Sequence, residues 1–142
     1  MIVLHLPYPP SVKMKPEEQI HRAIIAHLSA RSEPDAFWWH TPNGGKRHIA
    51  EAVKFKALGV VAGVPDLLIL KGGKLHALEL KAAKGTLTPS QRIVLAHMEN
   101  CGAETAVAHS LDEALVTLEY WGVLKRSLNH SVSETASQGT TK

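Results

Sequence analysis

Residues 66–81 read Asp66-Leu67-Leu68-Ile69-Leu70-Lys71-Gly72-Gly73-Lys74-Leu75-His76-Ala77-Leu78-Glu79-Leu80-Lys81. Two apolar runs flank a Gly-Gly pair. A two-residue hairpin turn demands positive φ at both central positions, which glycine accepts without steric cost. The stretch therefore predicts strands over 66–70 and 74–81 joined by a tight turn. With Gly72 and Gly73 as the loop, Lys71 faces Lys74, and the register runs outward pair by pair until Asp66 falls opposite Glu79. Both acids then share a sheet face with Leu68, Leu70, Leu75 and Ala77, their Cβ atoms about 4.5–5.5 Å apart. Alternation puts Lys81 on the same face as Glu79. Leu67, Ile69, Leu78 and Leu80 make the opposite face apolar too, so both faces are expected to be covered.

Carboxylates held opposite each other repel unless a cation sits between them. Two reasons for their presence are open. One is a solvated strand end carrying a surface Glu–Lys pair. The other is a metal-dependent hydrolase. Two such acids suit a hard divalent ion such as Mg²⁺, which keeps water in its remaining positions. The ion can polarise a phosphodiester oxygen and acidify a water, and Lys81 can offset charge developing on the phosphate.

Working outward, a helix is expected from Pro16 to Ala30. Pro16 suits its first position, Glu17 and Glu18 its positive end, and Ile20, Ile24 and Leu28 form its apolar stripe. Residues 36–40, Ala-Phe-Trp-Trp-His, read as a strand. The turn Thr41-Pro42-Asn43-Gly44-Gly45 leads to a helix from Arg47 to Leu58 that stops at Gly59. Thr88-Pro89-Ser90-Gln91 is a capping box opening a helix that ends near Cys101, expected to be a small buried hydrophobe. A strand over 104–109 and a helix from Ser110 to about Trp121 close the fold. The order α-β-α-β-β-α-β-α predicts an α/β fold, a mixed sheet flanked by helices. Residues 1–15, with Pro7, Pro9 and Pro10, read as an irregular lead-in. The polar tail, 125–142, is too poor in apolar residues to fold.

The 142-residue chain is 44% hydrophobic and 20% charged, in the range of one globular domain. No apolar run approaches the ~18 residues a membrane span needs. The first seven residues lack a charged leader and a cleavage site, so a cytoplasmic protein is expected. One cysteine excludes an internal disulfide. Nine histidines show no His-x-x-x-His spacing and no His/Cys cluster, which speaks against zinc. A net charge of +3 permits a nucleic-acid partner without requiring one.

Gly63-Val64-Pro65-Asp66 followed by Glu79-Leu80-Lys81 resembles the motif of the PD-(D/E)xK nucleases. Three further stretches narrow the likeness: Pro16-Glu17-Glu18-Gln19-Ile20-His21, His40-Thr41-Pro42-Asn43-Gly44-Gly45 and Gly85-Thr86-Leu87-Thr88-Pro89-Ser90-Gln91. In this order the five motifs resemble the VRR-NUC family, in its small stand-alone phage and bacterial form, over residues 16–124. The resemblance implies a restriction-endonuclease-like fold and an endonuclease dependent on Mg²⁺ (or Mn²⁺), with branched DNA such as Holliday junctions as substrate. It implies Asp66, Glu79 and the Leu80 carbonyl as metal ligands, with Lys81 as catalytic lysine. The family's first-helix glutamate falls on Glu17, which shares a face with Ile20 and Ile24 and should point inward; Glu18 is the alternative. Gln91 becomes a site residue as well as a cap. His21 stands where the family often has Gln.

Asn43, Gly44, Gly45, Lys46 and Arg47, where a turn feeds a helix N-terminus, suit a DNA phosphate, and Lys84 extends a basic track. Symmetric cutting of a four-way junction calls for a homodimer. Trp38 and Trp39 point to opposite faces of their strand, and at least one aromatic among these, Tyr120 and Trp121 is expected outside the core. A non-catalytic DNA-binding or assembly module on the same fold is the competing function.

Overall fold

The Gly72-Gly73 turn forms with φ of 56° and 79°, and the hairpin it joins is the centre of the sheet. The computed structural model describes residues 13–42 and 48–127. Its elements are α1 (Pro16–Arg31), β1 (Ala36–His40), α2 (Ile49–Ala57), β2 (Leu67–Lys71), β3 (Lys74–Leu80), α3 (Pro89–Asn100), β4 (Glu104–Ala108) and α4 (Leu111–Tyr120). The element order is the expected one. The strands lie in the order β1-β2-β3-β4, the first two pairings antiparallel and β3 with β4 parallel. This is a mixed sheet because α3 carries the chain back over its length before β4 begins.

One sheet face carries the core. Leu67, Ile69, Leu78, Leu80 and Ala108 pack against Ile24 and Leu28 of α1, Ala114 and Leu118 of α4, and Val123 and Leu124 beyond it. Trp38 and Trp121 pack against this cluster. The sequence causes already given are period-two alternation in the hairpin and the period-3.6 stripe of α1.

The other face is covered only toward one end. Ala77 and Glu79 are buried, but Leu70 is 44% exposed, and Phe37 and Trp39 of β1 stand out beside it at 66% and 37%. Burial of both faces is thus corrected: α2 buries no residue and leaves Ile49 and Val53 in solvent, so among the described residues nothing closes the β1 end. Of Trp38, Trp39, Tyr120 and Trp121, it is Trp39 and Tyr120 that lie outside the core. Cys101 is exposed, not buried. It caps the C-terminus of α3 before Gly102, whose φ of 96° turns the chain away from the helix.

Candidate active site at the end of the central hairpin

The β2–β3 ladder follows the predicted register from Lys71↔Lys74 to Leu67↔Leu78 and ends one pair short of Asp66 and Glu79. Asp66 is fixed instead by its neighbours. Its carbonyl accepts from the Thr41 backbone N–H at 3.0 Å and lies 2.7 Å from His40 Nδ1. Its Oδ2 accepts from the Leu80 N–H at 2.9 Å. The two acids are adjacent as expected, but Asp66, just outside the ladder, is released from alternation and reaches along the strand end. N–H and C=O of one strand residue point to the same side. The Leu80 carbonyl therefore faces the Asp66 side, where β2 has already ended.

Glu79 and Lys81 are buried on the non-core face, with Lys81 Nζ 3.3 Å from Glu79 Oε1. Gln91 forms the expected cap and also reaches Glu79. Its Oε1 accepts from the Thr88 N–H at 2.9 Å, and its Nε2 donates to Glu79 Oε1 at 2.6 Å. The cap thus sets which end of the amide faces the acid. Burial and the neighbouring Asp66 charge push the Glu79 carboxyl up to about 7, although Lys81 pulls it the other way.

Gly63 sets the distance between the Asp66 loop and α3. It has φ of 86°, and a Cβ there would lie 2.7 Å from the Ser90 carbonyl carbon and oxygen and 2.9 Å from the Gln91 nitrogen. Gly63→Ala is therefore expected to cost at least about 1 kcal/mol and to pull Gln91 off Glu79. A thermal melt and a catalytic assay check this; an unshifted melt would contradict the close packing.

Glu17 is an exposed residue, so it does not point inward in the sense expected, yet its Oε1 accepts from the Ala82 N–H at 3.2 Å. Glu18 pairs with Arg22 at 3.0 Å, one turn along α1. Both line a cleft of about 200 Å³ with Lys15, His21, Asp66 and Leu80. Lys84 is exposed in the loop after β3. Asn43, Gly44, Gly45, Lys46 and Arg47 lie outside the described residues, as do the lead-in through residue 12 and the tail from residue 128.

Histidine spacing in the sequence hid one association. His21 and His40 meet edge to face with ring centroids 4.4 Å apart, and both lie beside Asp66. The readable signal was alternation: His40 follows Ala36 and Trp38 on the core-side face of β1, toward α1, while His21 stands one helical turn from Glu17. Burial, and then the neighbouring His40, hold the His21 imidazole below its ordinary pKa.

The VRR-NUC domain family model matches residues 15–112, which span every element from α1 to the start of α4. The chain belongs to the VRR-NUC family. A solved structure described as a VRR_NUC domain protein is similar with a TM-score of 0.64 and 23% identity, covering 81% of this chain and all of that one. Another, described as a VRR_NUC domain, has a TM-score of 0.52 and 17% identity, covering 74% of this chain and 96% of that one. At these identities the structures bear on the fold alone. No curated protein matches the sequence. The chain thus carries a VRR-NUC, nuclease-type fold, and the acids, lysine and glutamine described above lie within the matched span.

Proposed function

We propose that this VRR-NUC domain is a metal-dependent DNA endonuclease, with Asp66, Glu79 and the Leu80 carbonyl as ligands of Mg²⁺ or Mn²⁺. The observation that carries this reading is a carboxylate, Glu79, made hard to ionise by its burial and by a second carboxylate beside it. Two acids and a carbonyl form an all-oxygen donor set suited to a hard cation, which relieves their repulsion. Such an ion supplies polarisation of the scissile phosphate and acidification of a water.

The chain's own groups do the positioning. Lys81 brings a positive charge to the phosphate where negative charge grows. Gln91 holds the Glu79 carboxylate by one oxygen, and Glu17 stands across the cleft. Asn43, Gly44, Gly45, Lys46, Arg47 and Lys84 bind the DNA backbone. The exposed apolar face formed by Phe37, Trp39 and Leu70, together with Ile49 and Val53 of α2, supports a homodimer, whose two sites suit branched DNA. Light scattering with and without a four-way junction tests that pairing. Among the described residues no helix is long and apolar enough to cross a membrane; the proposed place of action is the cytoplasm.

The test is cleavage of linear, nicked, flapped and four-way DNA with Mg²⁺, Mn²⁺ or Ca²⁺. Cleavage driven by Mg²⁺ and blocked by Ca²⁺ is expected. Tight DNA binding without cleavage in any cation would select the non-catalytic module instead.

The Glu79 shift gives a second, activity-free check. Between the ordinary carboxylate range and about pH 7, the folded chain holds a proton that the unfolded chain has released. The stability this contributes is present at low pH and lost as pH rises through about 7. The metal-free melting temperature should fall from about pH 5 to about pH 8, and a divalent cation should raise it more at the upper end. A flat profile, or an equal rise at both ends, would contradict the site.

A further inference from the structure

We infer that His21, His40 and Asp66 form a second metal position, which takes a first-row transition-metal ion through two imidazole nitrogens and one carboxylate oxygen. The inference deepens the nuclease reading and rests on it for the other role of Asp66, which the two positions would share. Three elements converge here: α1 brings His21, the end of β1 brings His40, and the loop before β2 brings Asp66. One donor atom of each lies within 4.8 Å of the others. Ligands about 2.0–2.2 Å from a common ion stand about 3–4 Å apart, so modest side-chain rotation in the cleft brings them to one centre.

The surroundings prepare the ligands. The Asp66 carbonyl can only accept a hydrogen bond, so the His40 Nδ1 that lies 2.7 Å from it carries the proton. That leaves the lone pair on His40 Nε2, the arrangement in which an outer partner fixes the tautomer of a metal-ligating histidine. Asp66 Oδ2 accepts from the Leu80 N–H, and a carboxylate retains further lone pairs on both oxygens. His21 opens into the same cleft as Glu17 and Glu18. Three protein ligands leave a position for water or substrate, as in catalytic rather than structural sites.

Imidazole nitrogen favours Mn²⁺, Co²⁺ or Zn²⁺ over Mg²⁺, whereas the Asp66–Glu79–Leu80 donors are all oxygen. The two positions thus differ in the ion they prefer, and the difference is measurable without DNA. Mn²⁺ and Co²⁺ are the probes. Pulsed electron paramagnetic resonance of the Mn²⁺-loaded full chain should show nitrogen modulation from coordinated imidazole. The modulation should weaken to that of one imidazole in His21→Gln and vanish when both histidines are replaced. It should weaken likewise in His40→Asn, whose amide keeps a donor to the Asp66 carbonyl but lacks the second nitrogen. Calorimetry should show Co²⁺ affinity reduced about tenfold or more in each variant, at least the loss typical of an outer partner. Circular dichroism confirms that the variants are folded.

Oxygen-only coordination of Mn²⁺ in the wild type, with Mg²⁺-driven cleavage intact, would overturn this inference alone. Nitrogen modulation that persists when both histidines are replaced would overturn it too. Nitrogen modulation without cleavage in any cation would sink the nuclease reading and leave the metal position standing.

Discussion

Asp66→Asn is expected to lower the single-turnover cleavage rate by about 10³-fold while the fold survives. The amide keeps an acceptor for the Leu80 N–H, now made by Asp66 Oδ2 at 2.9 Å, but removes the charge that attracts the cation. It also removes the Asp66 charge, which adds to burial in raising Glu79. Metal-free stability near neutral pH should therefore hold level or rise, and the melting temperature should depend less on pH. Asp66→Ala loses activity equally but orphans the partly buried Leu80 N–H, a penalty of about 1–3 kcal/mol that offsets the relieved repulsion. Rate, melting temperature and its pH dependence in both variants check this. Wild-type activity in Asp66→Asn would remove Asp66 from the metal site.

Lys81→Met should reduce turnover by about 10²–10³-fold with a much smaller change in DNA affinity. The ammonium sits 3.3 Å from Glu79 Oε1 at the buried end of β3, and the proposed mechanism has it act on the reacting phosphate rather than on the DNA at large. A second readout separates this from simple loss of packing. Lys81 holds the Glu79 carboxyl lower than burial and Asp66 alone would leave it. Without Lys81, the acid limb of the pH–rate profile should move to higher pH. Lys46→Ala and Arg47→Ala should show the opposite balance, weaker binding and a salt slope shallower by about one each. Equal losses of rate and affinity in all three variants would refute this division.

The hairpin made the fold readable because its signals agree. Gly72 and Gly73 permit only a short turn, and the alternation on each side then decides which residues face α1 and α4. The register pointed to Asp66 beside Glu79 for the same reason. It failed at the last pair because strand alternation stops constraining a residue that leaves the ladder, and the Leu80 N–H offered Asp66 a better partner. Gln91 was legible as a cap, which is local; its bond to Glu79 depends on how closely α3 approaches Gly63, which no local pattern encodes. Exposure of the β1 end was hidden for a related reason. The hairpin face that carries Leu70 was expected to be covered, yet Leu70 is exposed together with Phe37 and Ile49. The His21–His40 contact joins residues nineteen positions apart through tertiary packing, so histidine spacing could not reveal it.

The most direct measurement of the central claim is anomalous diffraction from a crystal of the protein soaked in Mn²⁺, recorded at the manganese absorption edge. The account predicts a peak bounded by the Asp66 and Glu79 carboxylates and the Leu80 carbonyl, and its loss in Asp66→Asn. A second peak beside His21 and His40 would bear only on the further metal position. A well-occupied Mn²⁺ elsewhere, with no density between Asp66 and Glu79, would contradict the claim that these two acids hold the ion for phosphodiester cleavage.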